Sequence, residues 1–116
     1  MLTTNLASLN DADVYVHTLA ILTSLSQNPK AQQSIRMLKM LSNRPIQDLD
    51  LIEASRVSLS GLRQYLIQQA SPDYWYDNFM GINGEIDPND MNSINDILEE
   101  RQQQIRYVDV ALVRLS

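Results

Sequence analysis

Few residues in this sequence have a type and spacing suited to catalysis. The only histidine, His17, follows Asp13 by four residues, which would place both side chains on one face of a helix and let the carboxylate orient the imidazole. No serine lies in a Gly-x-Ser-x-Gly turn, cysteine is absent, and none of the three glycines precedes a Lys-Ser or Lys-Thr pair as in a phosphate-binding loop. A single histidine on a helix is usually a surface or half-buried residue rather than a catalytic group. We therefore expect no enzyme activity, no cofactor and no small-molecule substrate.

A metal site is not expected either. Residues 83–90 contain the glycine, the apolar residue and the final acid of the second half of an EF-hand calcium loop. In that alignment Phe79 and Gly81 occupy positions where oxygen-bearing side chains are needed. Calcium requires about six to eight oxygen ligands, so this loop is incomplete.

A second segment has the outline of a nucleic-acid-binding motif. Residues 48–66 fit a helix-turn-helix in which two short helices meet at Val57–Ser58 and the second enters the DNA major groove. The sequence departs from the motif at Ile52, where a small residue is usual, and at Arg56, where glycine is usual. The second helix would expose four candidate DNA-binding residues: Ser60, Arg63, Gln64 and Gln68. The net charge of −5 opposes binding to phosphates, so DNA recognition is the alternative function here.

Charge is strongly segregated along the chain. Residues 14–47 contain four Lys or Arg and no acid, whereas residues 64–100 contain eight Asp or Glu and no Lys or Arg. We predict that Lys30, Arg36 and Lys39 share one outward helical face and contact an acidic surface. That surface would be the acidic loop of a neighbouring copy or a phosphate backbone.

Four of the seven aromatic residues lie close together, at Tyr74, Trp75, Tyr76 and Phe79. Consecutive aromatic side chains cannot all point the same way, so at least one should be partly exposed. Because Trp and Tyr are enriched at binding hot spots, we predict that Tyr74, Trp75 and Tyr76 contact a protein partner. Packing of Trp75 in the core is the competing interpretation.

The periodicity of apolar residues predicts an all-α fold in a single small domain of about five helices over residues 1–116. Residues 11–70 should form a four-helix core, residues 71–87 an irregular aromatic and acidic loop, and residues 88–115 a long C-terminal helix. Three β-branched valines leave a strand over residues 105–113 as an alternative. The three- and four-residue spacing of the apolar positions favours the helix.

The C-terminal helix is also the predicted assembly element. Apolar residues alternate at three- and four-residue spacing from Met91 to Leu115, interrupted only by Arg101, and this is the spacing of a coiled-coil seam. We divide the stripe at Arg101, because an unpaired charge is costly inside a seam. Residues 91–98 should pack on the chain's own helices. The remaining stripe should contact another copy or a partner: Ile105, Val108, Leu112 and Leu115.

Together these features predict a non-catalytic protein that binds other protein chains. It would act as an oligomerising adaptor or as a structural accessory protein of a phage or secretion assembly, with a homo-oligomer as the expected state. The sequence has no apolar run of about 20 residues and no Lys or Arg before Lys30, so we expect no membrane partner and no secretory signal. The expected location is the cytoplasm, or the virion if a phage encodes the chain. A helix-turn-helix transcriptional regulator is the alternative.

Overall fold

The structure is a computed structural model, and it describes residues 8–43, 49–79, 85 and 87–116 of the chain. These residues form five α-helices and no strand: α1 Asp11–Leu22, α2 Pro29–Asn43, α3 Leu49–Gln69, α4 Pro72–Phe79 and α5 Pro88–Arg114. A 3-10 turn, Thr23–Leu25, directly follows α1. The all-α fold and the long C-terminal helix are confirmed, and residues 105–113 are helical rather than extended.

Polar side chains cap the helix starts as the sequence suggests. Asn10 and Asp87 each accept a hydrogen bond of 2.8 Å from a backbone N–H in the first turn of α1 and α5, respectively. Asn28 does the same for α2, at 2.9 Å from the Lys30 N–H. These bonds satisfy backbone donors that have no partner inside the helix, and they determine where each helix begins.

Four of the helices form an antiparallel bundle. Each of α1, α2, α3 and α5 packs against two of the others in the ring order α1, α2, α3, α5. Consequently α1 lies diagonally opposite α3, and α2 lies diagonally opposite α5. The hydrogen bonds between Thr18 and Tyr107 and between Ser24 and Glu100 show that α1 and α5 run in opposite directions. The short α4 packs on α3 and α5, in the connection between them.

The core is made by the inner faces of all four bundle helices, and each helix has buried apolar residues on a single side. The main core residues are Val14, Leu22, Leu38, Leu59, Leu62, Leu66, Val108 and Ala111. At about 25 cal/mol for each Å² of apolar surface removed from water, this burial is the main force that holds the bundle together.

The predicted division of residues 11–87 into a four-helix core and a loop is wrong. Residues 11–70 contain three α-helices rather than four, because α3 continues through the turn predicted at Val57–Ser58. The Ser58 hydroxyl hydrogen-bonds the Ser34 hydroxyl of α2 at 2.8 Å, and Leu59 is buried in the core. These contacts at the predicted break and directly after it favour one continuous helix.

The predicted loop over residues 71–87 contains α4, which is the fifth helix. Within residues 83–90, which resemble part of a calcium loop, residues 83, 84 and 86 lie outside the described residues. Within the described ranges, no helix has both the length and the hydrophobicity needed to cross a membrane.

Candidate interaction surface

A buried polar network connects α5 to α1 and α3. The Gln104 side chain is fully buried, and its amide nitrogen donates to the Ile21 carbonyl at 3.1 Å and to the Ser24 hydroxyl at 3.0 Å. Its carbonyl oxygen accepts from Arg101 at 3.0 Å. Arg101 also donates from Nε to Gln69 Oε1 at 2.7 Å. Buried polar groups that are hydrogen-bonded in this way position the helices that carry them.

The expectation that Arg101 is an unpaired charge that divides α5 is therefore wrong. Its side chain is 12% exposed and lies 3.9 Å from a Glu100 oxygen, in addition to its two amide acceptors. The short α4 is attached next to this network, because the Trp75 indole N–H donates to the backbone carbonyl of Gln69 at 2.5 Å. Sequence reasoning missed this group because its members lie on different helices and their proximity depends on how the helices pack.

The structure also places the predicted assembly stripe of α5 mostly inside the chain's own core. Val108 is fully buried and Leu115 is 4% exposed, while Ile105 and Leu112 are partly buried against the same core. The sequence predicts four helices in residues 11–70. These residues supply three, so the C-terminal half of α5 completes the bundle as its fourth member.

A shallow groove of about 390 Å³ lies between α3 and the C-terminal half of α5. Among the residues that line it are Arg56, Ser60 and Arg63 of α3 and Asp109, Leu112 and Val113 of α5. It thus brings together two of the candidate DNA-binding residues, Ser60 and Arg63, and one candidate protein-binding residue, Leu112.

Charges in the groove are neutralised within the chain. The Arg63 Nε donates to the Asp109 carboxylate. Arg56 donates to the Leu115 carbonyl at 3.0 Å and forms an ion pair with Glu53 at 3.2 Å. Apolar side chains in and next to the groove are by contrast exposed to water. Val113, which lines the groove, is 70% exposed, and Val57, which follows the lining residue Arg56, is 64% exposed.

The candidate DNA-binding residues all lie on the continuous helix α3. Gln64 and Gln68 are exposed, and Ser60 and Arg63 line the groove. A helix-turn-helix needs a turn so that its second helix can enter the groove of DNA while the first crosses the backbone. Residues 49–69 contain no such turn, so this segment does not form the motif.

The predicted basic face is only partly formed. Arg36 and Lys39 are exposed on the outer side of α2. Lys30 lies nine residues before Lys39, which is about 180° around a helix of 3.6 residues per turn. Its ammonium nitrogen is 5.7 Å from the centre of the Tyr65 ring on α3, which is within cation–π distance. The basic face therefore consists of Arg36 and Lys39.

Three of the clustered aromatic residues are half-buried at one end of the bundle, namely Tyr74, Trp75 and Tyr76. The Tyr74 and Trp75 rings meet edge to face, with 5.0 Å between their centres. The partial exposure agrees with the prediction, and contact with a partner stays a prediction. The Phe79 side chain lies outside the described part of the structure.

Asp13 and His17 are both exposed on α1. Among the described residues, no group of three or more His, Asp or Glu is placed to hold a metal ion. Tyr15 is 7% exposed, and this burial raises the pKa of its phenol above the ordinary value of 10.0. The Asp11 carboxylate raises the pKa further, and the Arg114 guanidinium acts in the opposite direction.

No protein-family model, curated protein or solved structure matches this chain.

Proposed function

We propose that this chain is a non-catalytic assembly protein that binds other protein chains, with a second copy of itself as the partner at the α3–α5 face. We define that face as the groove together with Val57 and Val113. The observation that supports the proposal is the exposure of these two valines beside the groove. Removing apolar surface of this kind from water is favourable by about 25 cal/mol for each Å², before the entropic costs of association are subtracted.

The charged side chains of the α3–α5 face already have partners within the chain. Removing an unpaired charge from water is costly, but Arg63 and Asp109 already neutralise each other. Arg56 likewise has Glu53 and a backbone carbonyl as partners. A partner helix could therefore cover the groove without having to provide a charge for either arginine.

The outer side of α3 is self-complementary, and this supports a second copy as the partner. Val57 and Ser60 are both exposed and lie one turn apart. If two α3 helices pair antiparallel about a two-fold axis between these positions, Val57 of each copy packs on the small Ser60 of the other. Glu53 of each copy then lies opposite Gln64 of the other, so that a carboxylate faces an amide donor. Such a contact buries the same patch on both copies, as two-fold interfaces do.

The absence of cysteine allows a direct test of this face. A Val57→Cys variant labelled with a polarity-sensitive dye is titrated with the unlabelled parent protein. We expect the emission to shift to shorter wavelength and to saturate, because a second copy removes the dye from water. The matched control is Ala12→Cys, which is exposed on α1, the helix diagonally opposite α3.

Two results would count against the proposal. The first is an emission from Val57→Cys that does not change with concentration, or that changes as much as the emission from the α1 control. The second is nanomolar, salt-sensitive binding of duplex DNA, which would favour the regulator alternative.

A further inference from the structure

We infer that copies of this chain also associate head to tail, with the outer face of α2 in one copy against the N-terminal half of α5 in the next. This contact does not depend on the proposed α3–α5 contact, because it uses other faces of the bundle. The head-to-tail contact joins exposed charges that have no ion-pair partner within the described part of the chain.

The basic side of the contact is on α2. Arg36 and Lys39 are three residues apart and exposed, and neither forms an ion pair with any described residue. Arg36 lies two residues from the fully buried Leu38, which places it about 200° around the helix from the core. It therefore points directly away from the bundle.

The acidic side of the contact is on α5. Asp96 and Glu99 are also three residues apart and exposed, and the described residues provide no cation for either. Asp96 lies two residues from the fully buried Ile94, so it too points away from the bundle. The neighbouring Glu100 differs, because it accepts a hydrogen bond of 2.6 Å from Ser24 within the chain.

The bundle topology keeps these two charged faces apart. Since α2 and α5 are diagonal members of the ring, their outer faces point in opposite directions. The opposite charges cannot neutralise each other within one copy, but they can do so between copies. The equal spacing of the two pairs, about 4.5 Å along each helix axis, allows two ion pairs in each contact. A contact between two different faces of identical chains repeats, and it gives a ring or a filament.

One copy can make this contact and the α3–α5 contact at the same time. Asp96 and Val113 are 17 residues apart on α5, which corresponds to about 26 Å along the helix. The head-to-tail contact should also depend strongly on salt, because its charges are exposed.

The test reverses the sign of the charge on each pair of residues. Molecular mass is then measured by sedimentation velocity at about 20 mM and about 0.5 M NaCl. The first variant is Arg36→Glu with Lys39→Glu, and the second is Asp96→Lys with Glu99→Lys. We expect each to weaken association at low salt by roughly tenfold or more, because both outer faces then carry charge of one sign. The quadruple variant, in which both pairs are reversed, should associate again. An equimolar mixture of the two double variants should also associate.

The quadruple variant is also the control for net charge, because it keeps the parent value of −5. Arg36→Gln with Lys39→Gln provides a milder change in case a reversed pair impairs folding, and it should weaken association in the same direction. The inference is overturned if the parent stays monomeric at low salt, if the double variants associate as well as the parent, or if exchanging both pairs fails to restore association. The dye response of Val57→Cys reports the α3–α5 contact separately, so the two proposals can fail independently.

Discussion

Single residues of this bundle are positioned by polar partners as well as by apolar contact. Gln104 lies in the interior of a four-helix bundle, where an apolar residue is usual, and it is tolerated because its amide contacts α1 and Arg101. Gln69 has a similar role on α3, where its side-chain oxygen accepts from Arg101, while its backbone carbonyl accepts from the Trp75 indole. Each buried polar group therefore specifies which helices are neighbours.

Replacing Gln104 with Ala should destabilise the domain. The change leaves a cavity and removes partners from the Ile21 carbonyl and from Arg101, so we expect a loss of about 2–4 kcal/mol in the free energy of unfolding. Urea unfolding followed by circular dichroism measures this loss. The matched control is Gln103→Ala, one residue earlier and exposed, which should change stability by less than about 0.5 kcal/mol. Equal effects of the two variants would show that the network does not stabilise the fold.

Tyr15 should make the stability of the domain sensitive to alkaline pH. Burial raises the pKa of its phenol above 10.0 in the folded state, so the folded chain holds this proton more tightly than the unfolded chain does. Below pH 10 both states are protonated and the stabilisation is fully present. As the pH rises from 10 through the folded-state pKa, the unfolded chain binds fewer protons and stability falls.

Urea unfolding between pH 9 and pH 12 tests this behaviour of Tyr15. A Tyr15→Phe variant should show a smaller loss of stability above pH 10 than the parent, and its absorbance titration should lack the latest-ionising tyrosine. An unchanged pH dependence in the variant would assign the effect to other groups.

At the scale of helices, α3 and α5 determine the architecture. The sequence of α3 contains Ser58, Ser60 and Gly61, which favour a break, yet the helix continues because Leu59 and Leu62 are buried on one side. Apolar packing of this kind outweighs a helix propensity of about 1 kcal/mol or less per residue. The continuity of α3 in turn makes α5 the fourth member of the bundle.

Gly61→Ala should stabilise the domain. Gly61 lies within α3, and no atom lies within 4 Å of the position where a Cβ would be added. Because glycine in a helix costs about 0.5–1 kcal/mol relative to alanine, we expect a gain of that size. Thermal unfolding checks it, with Gly61→Pro as the contrasting variant that should cost about 3 kcal/mol or more. A loss of stability in Gly61→Ala would contradict a regular, uncrowded helix at this position of α3.

For the molecule as a whole, the ring of four antiparallel helices brings distant parts of the chain together. Arg114 near the end of α5 donates to Asp11 at the start of α1 at 2.9 Å, which shows that these two helix ends are adjacent. The ring also turns the charge segregation of the sequence into two opposite faces, one on α2 and the other on α5. The proposed assembly depends on this arrangement of the whole molecule.

A circularly permuted chain should therefore fold. If a flexible linker joins Ser116 to Met1 and new ends are opened between Gln27 and Asn28, all four bundle helices stay intact. We expect helical circular dichroism and cooperative urea unfolding, because the core does not depend on the order of connection. Opening the chain instead between Ser58 and Leu59 cuts α3 and should abolish cooperative unfolding. Equal behaviour of the two permutants would contradict the continuous α3 and the ring.

The sequence by itself determined the features that depend on near neighbours along the chain. Apolar spacing of three and four residues indicated helices throughout, and it decided between helix and strand at residues 105–113. The sequence pairs Asn28–Pro29 and Asp87–Pro88 are each typical of a helix start, because a side-chain cap and a proline act within one turn. The segregation of charge was likewise visible without a structure.

Only the tertiary structure decided which residues meet across helices. The absence of a turn at Val57–Ser58 depends on packing against α2 and the core, and the pairing of Arg101 depends on Gln69 and Gln104. The burial of Val108 follows from the place of α5 in the ring. An apolar stripe has the same spacing whether it faces its own core or another chain, so periodicity alone cannot distinguish the two. Which of these occurs is determined by the number of helices that the rest of the chain supplies.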